Sequence, residues 1–179
     1  MGEIATAEIL EFVQRLGGRY AGSATLLLLG GSALCLLGNP RRTLDIDYLV
    51  EGPSDQVAEL QATVDTVAAE MRLEVEVVPL GEFIPLPDGA ESRHRQVGQF
   101  GGLTVCVFDP YSISLSKVDR GFEADLQDVV FLVRQGIINL ERLEAYVAAA
   151  APHAAEFDLI PTDMRQHLEA IRRLVQQQG

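Results

Sequence analysis

Residues 25–50, TLLLLGGSALCLLGNPRRTLDIDYLV, constrain this chain more than any other stretch. The run Thr25–Leu29 is too short for a self-sufficient helix and reads as a buried strand. Gly30-Gly31 end it, Ser32 heads a brief helix, and Gly38-Asn39-Pro40 stops that helix. Residues 44–50 then alternate, so Asp45 and Asp47 project from one strand face and Ile46, Tyr48 and Val50 from the other. The segment therefore commits the chain to an α/β arrangement in which one strand carries two carboxylates on a single face.

The same periodicities organise the rest. Ile9, Leu10, Val13 and Leu16 predict an opening amphipathic helix over 6–16, and Val57, Leu60, Val64 and Val67 predict another from Pro53-Ser54 to about Met71. RLEVEVV, residues 72–78, reads as a third strand, and the Pro- and Gly-rich segment after it as a loop. RQVGQF and LTVCVF around Gly101-Gly102 read as a hairpin. Asp109-Pro110 opens a helix as N-cap and first-turn proline, ending near Gly121. Helices over about 122–134, 139–150 and 162–177 follow. The expected fold is α/β (α+β), a mixed β-sheet flanked by helices with a helical C-terminal part. The expected division is a domain over 1–135 and a helical extension over 136–179 packed on it.

At 179 residues the chain suits one domain with a small appendage. No apolar run reaches the roughly 18–20 residues that span a bilayer, so no membrane is expected. The acidic N-terminus has no basic flank, so a secretory signal is not expected, and Met1-Gly2 alone is slight evidence of myristoylation. Cys35 and Cys106 share no metal or redox spacing and read as buried free thiols in a reducing cytoplasm. The net charge of −12 disfavours nucleic acid except at a local basic patch.

Carboxylates at alternate strand positions lie about 6–7 Å apart, and like charges so placed are costly without compensation. Two Mg²⁺ ions about 3.5–4 Å apart compensate them well, since Mg²⁺ takes carboxylate and phosphate oxygens. Mn²⁺ is the alternative. Gly30, Gly31 and Ser32 let backbone amides at a helix start approach a phosphate. Each feature alone has a plainer explanation, a tight turn or a solvated strand end. Together they point to a nucleoside triphosphate (NTP) bound with Mg²⁺. Arg42, in the loop entering the Asp strand, would clamp a phosphate, pair with the aspartates, or face solvent. Arg93 and Arg95 around His94 read as an exposed hairpin stem or an acceptor rim. His153 and His167 read as surface residues, and no histidine is assigned to catalysis.

The pattern LGGSALCLLGNPRRTLDIDYL resembles the polymerase-β-like nucleotidyltransferases, whose signature is hydrophobic-Gly-[Gly/Ser] followed by Asp-hydrophobic-Asp-hydrophobic. With VVPLGEFIPLP and FDPYSISLSKVDRGFEADLQDVVFL, it is similar to small bacterial nucleotidyltransferase-like proteins related to the AbiEii and MenT toxins. The resemblance covers about residues 25–135. It implies that Asp45 and Asp47 hold Mg²⁺ and that a third carboxylate, Glu76 or Glu74, helps hold metal and activate the attacking hydroxyl. The family usually has aspartate there, and Glu76 fits the small-family pattern better. It implies further that Lys117 contacts the nucleotide phosphates, and that Asp125 and Asp128 act in catalysis or positioning. Both acids also suit a brace for Lys117 or Arg120.

The expected function is transfer of a nucleoside monophosphate from an NTP to a hydroxyl acceptor, which is tRNA, a protein or a small molecule. An inactive nucleotide-binding module and a toxin held by an antitoxin are the alternatives. With no large second domain evident, an acceptor platform would come from the C-terminal helices or a homodimer partner.

Overall fold

In the computed structural model, which describes residues 2–177, the predicted strands form one mixed five-stranded sheet. They are β1 (Ala24–Leu28), β2 (Asp45–Glu51), β3 (Glu74–Val77), β4 (Arg95–Phe100) and β5 (Leu103–Val107), in the order β3-β2-β1-β5-β4. β1 runs antiparallel to β2 and parallel to β5, and β2 runs parallel to β3. β4 and β5 form the expected hairpin, with an irregular register between Gln96 and Gly98.

Helices α1 (Thr6–Arg19) and α3 (Ser54–Met71) present Ile9, Phe12, Val13, Leu16, Leu60, Val64 and Val67 to the core. Ile46, Tyr48 and Val50 of β2 belong to the same cluster. Successive side chains of a strand alternate, so this packing sends Asp45 and Asp47 to the opposite sheet face. Burial pushes the Tyr48 hydroxyl up to about 12. Between β1 and β2 lies the short helix α2 (Gly30–Leu36), which begins at Gly30 rather than at Ser32.

The chain divides into two compact units: one holds the chain up to Val78 together with His94–Phe108, and the other holds Pro79–Arg93 together with the chain from Asp109 on. The chain crosses between the units at 78/79, 93/94 and 108/109. The second unit contains α4 (Pro110–Arg120), α5 (Glu123–Arg134), α6 (Leu140–Ala150) and α7 (Pro161–Gln177). Helix α4 packs against the other three and is buried along most of its length.

One ion pair explains why the Pro-rich segment joins this unit. Asp109 caps α4 by accepting from the Tyr111 and Ser112 N–H groups at 3.1 and 3.2 Å. Its carboxylate also accepts from Arg93 Nε and Nη2, each at 2.9 Å. A buried carboxylate left unpaired is costly, so Arg93 fastens the segment before it to the helical unit. Arg93 is therefore no exposed hairpin stem; its guanidinium also lies over the Tyr111 and Tyr146 rings. Among the described residues, no helix is long and apolar enough to cross a membrane.

Candidate metal and nucleotide site

Parallel pairing of β2 and β3 sets Asp45 beside Glu74 and Asp47 beside Glu76. Neighbouring strands lie about 4.8 Å apart, so register-matched side chains on one face meet laterally. Oxygens of Asp45, Asp47 and Glu76 all lie within 4.8 Å of one another. The two aspartates are half-buried and Glu76 is exposed, which leaves the cluster accessible from the sheet edge. Glu74 is exposed and lies outside this group. Thr43 Oγ1 donates to Asp45 Oδ1 at 3.4 Å. Three carboxylates without nitrogen or sulfur donors suit a hard cation, Mg²⁺ or Mn²⁺. Among the described residues, no other three His, Cys, Asp or Glu side chains converge in this way.

The Gly-Gly turn lies flat against this strand. Gly30 has φ +54°, a left-handed conformation that glycine adopts without strain. A Cβ on Gly30 would run into the Asp47 carboxylate, and one on Gly31 would meet Thr43 Oγ1 and stand 2.8 Å from Arg41 Nη2. The Leu29 N–H donates to the Asp47 carbonyl at 2.9 Å, which joins the turn to β2. The first α2 turn leaves the Gly30, Gly31 and Ser32 N–H groups without an intrahelical acceptor. Ser32 is fully buried, and its hydroxyl donates to the Leu29 carbonyl at 2.8 Å. Arg42 is exposed, with Nη1 3.4 Å from the Glu3 carbonyl.

From the sequence, Arg41 and Thr43 lie with Arg42 in the loop entering the Asp strand, but only Arg42 was given a role. The signal was there: Arg41, Thr43, Asp45 and Asp47 alternate in sequence, and Arg41 and Thr43 come to the turn against which Asp47 also packs.

In the second unit, Lys117 is only 2% exposed. Its ammonium donates to Asp125 Oδ1 at 2.8 Å and lies 2.8 Å from Asp128 Oδ2. Arg120 reaches Asp125 through Nε at 3.1 Å and Nη2 at 2.7 Å. Burial alone would raise the Asp125 carboxyl, but Lys117 and Arg120 outweigh it and hold it below the usual carboxylate range. Lys117, Asp125 and Asp128 thus form one buried ion network.

Cys35 and Cys106 are buried free thiols, and burial pushes the Cys106 thiol up. The His94 ring packs at 4.6 Å from Phe108, and exposed His153 lies 3.7 Å from Glu156. His167 is not the surface residue expected: it is half-buried, with Nδ1 2.6 Å from the Val118 carbonyl.

Comparison with known proteins bears on the family and the fold. None of the curated proteins matches the chain. The fold is similar to the crystal structure of an antigenic nucleotidyltransferase-like protein from Paracoccidioides brasiliensis, with a TM-score of 0.52 at 15% identity. That likeness covers 92% of this chain and 95% of the other. The family described as nucleotidyltransferase of unknown function (DUF6036) matches residues 6–169, nearly the whole chain. Together with a mixed sheet that gathers carboxylates beside a Gly-Gly turn, this match shows that the chain belongs to that family.

Proposed function

We propose that this chain transfers a nucleoside monophosphate from an NTP to a hydroxyl acceptor at a divalent-cation site made by Asp45, Asp47 and Glu76. The observation that carries this reading is the meeting of three carboxylates, within 4.8 Å, at matched positions of β2 and β3. Mg²⁺ or Mn²⁺ bound there would neutralise phosphate charge and make the acceptor hydroxyl more acidic. Asp45 and Asp47 would act as fixed ligands, with the Asp45 carboxylate oriented by Thr43. Glu76, on the exposed side, would also take the proton from the incoming hydroxyl. As the acceptor oxygen bonds to the α-phosphorus, the bond to the bridging oxygen breaks and pyrophosphate leaves with the electron pair. The missing side chains of Gly30 and Gly31 let the Asp47 carboxylate, Thr43 and Arg41 pack directly against the turn, and the backbone N–H groups of that turn would receive the phosphates.

The test is incubation of the protein with each labelled NTP, Mg²⁺ and, in turn, tRNA, protein or small hydroxyl compounds. Wild type should release pyrophosphate and label one acceptor, and Asp45→Ala/Asp47→Ala should do neither. Equal labelling by the double variant overturns the proposal. One observation favours a second reading, a nucleotide-binding module without turnover: the third carboxylate is a flexible glutamate on an exposed edge strand. Tight Mg²⁺-dependent NTP binding without pyrophosphate release would select it. Kinship with the AbiEii and MenT toxins would show as growth arrest on expression, relieved by an antitoxin.

A further inference from the structure

We propose that the groove between α6 and α7 binds a second copy of this chain across a two-fold axis, an inference independent of the nucleotidyltransferase reading above. Val147 and Ala148 of α6, Ala151 just after it, and Pro161 and Leu168 of α7 line a groove of about 460 Å³. Ala145, Ala148 and Ala149 are exposed, so this side of α6 is uncovered. At the margin of the groove stands Ile160, beside Pro161 in the chain and 55% exposed. A contiguous apolar surface with a polar rim marks a place where another surface docks.

The charges on the rim say which surface that is. Glu144 and Arg172 pair with each other. Arg165 and Glu169 also line the groove, are exposed, and have no ionic partner among the described residues. A partner of one sign would oppose one of them to its like. A second copy turned about a two-fold axis presents the same two charges in reverse order, so each Arg165 meets the other copy's Glu169. The Ile160 side chain of each copy then enters the apolar groove of the other and leaves water.

Net charge points the same way. At −12, two copies of the chain repel each other. Helices α6 and α7 carry four acids and four arginines between them, so together they are neutral. Self-association through these helices therefore avoids the repulsion that the rest of the chain would bring.

Sedimentation velocity on the full chain tests the proposal. Wild type should be a dimer at about 0.1 mM, a hundred times a micromolar Kd. Ile160→Asp should be a monomer at that concentration, with its far-ultraviolet circular dichroism unchanged because the side chain is exposed. Arg165→Glu and Glu169→Arg should each weaken dimerisation about ten-fold or more, since symmetry applies each like-charge contact twice. Mixed in equal amounts, those two variants should form a heterodimer as tight as the wild-type dimer, because each brings the charge that the other lacks. Arg173→Glu, a reversal outside the groove, is the control for net charge and should stay within about two-fold. Three results overturn the proposal: a wild type that stays monomeric, a dimer that Ile160→Asp leaves intact, or a mixture of the two charge variants that does not associate. A monomeric wild type that takes an amphipathic helix of another protein into the groove overturns it as well, by giving the groove a different occupant.

Discussion

Asp45, Asp47 and Glu76 gather three like charges where water reaches them, whereas Lys117, Arg120, Asp125 and Asp128 gather two of each sign around a buried ammonium. Both are acid clusters, but the physical chemistry runs in opposite directions. The first carries mutual repulsion that a bound cation relieves, so it gains most from a ligand. The second opposes each acid with a base, so its members gain most from one another. The contrast fits the binding role proposed for the first cluster and makes the second a source of cohesion in the helical unit.

Several variants would break or sharpen that contrast. Asp45→Ala/Asp47→Ala should cut nucleotide transfer about a thousand-fold or more, about 4 kcal/mol in the barrier, with Tm unchanged or raised. A fall in Tm, measured by calorimetry, would mean that the triad is structural. Lys117→Ala should do the reverse and cost about 3–5 kcal/mol of stability, because the buried Asp125 and Asp128 carboxylates both lose the ammonium between them. Thermal unfolding reads that loss directly.

Mn²⁺ at about a hundred times its Kd should stabilise wild type by about 2.7 kcal/mol and leave Asp45→Ala/Asp47→Ala unmoved. Gly30→Ala should cost about 1–3 kcal/mol, since it adds both a strained φ and a clash with Asp47. Chemical denaturation of the variant measures it.

The smallest effect is in pH. The Asp125 carboxyl titrates lower folded than unfolded. Its contribution to stability is thus complete above the unfolded value of about 3.9 and lost as pH falls through the lowered folded value. Tm against pH should therefore drop less steeply on the acid side in Asp125→Asn than in wild type.

Much of the fold was legible because its signals are local. The alternation of LDIDYLV, the stop at Gly38-Asn39-Pro40 and the Asp109-Pro110 start all act within a few residues, and the elements formed within a few residues of their expected bounds. The attachment of the Pro-rich segment to the helical unit was not legible. It depends on Arg93 finding Asp109, sixteen residues away, and on α4 packing against α5, α6 and α7. Local periodicity carries neither fact. The site divides in the same way. Asp45 and Asp47 are fixed to one face by strand geometry alone. Glu76 and Glu74 sit on one face of β3 with equal claim, and the register of β3 against β2 brings Glu76 into the cluster.

Sequence alone, then, determined the elements, the two-aspartate face and the glycine turn before it, because each follows from backbone periods of two and 3.6 residues. Tertiary structure decided which glutamate completes the cluster, which arginine lies on the turn, and that Lys117 is enclosed by Asp125 and Asp128. Those outcomes depend on strand register, on a missing Cβ and on helix packing, and all three are relations between segments that no local pattern encodes.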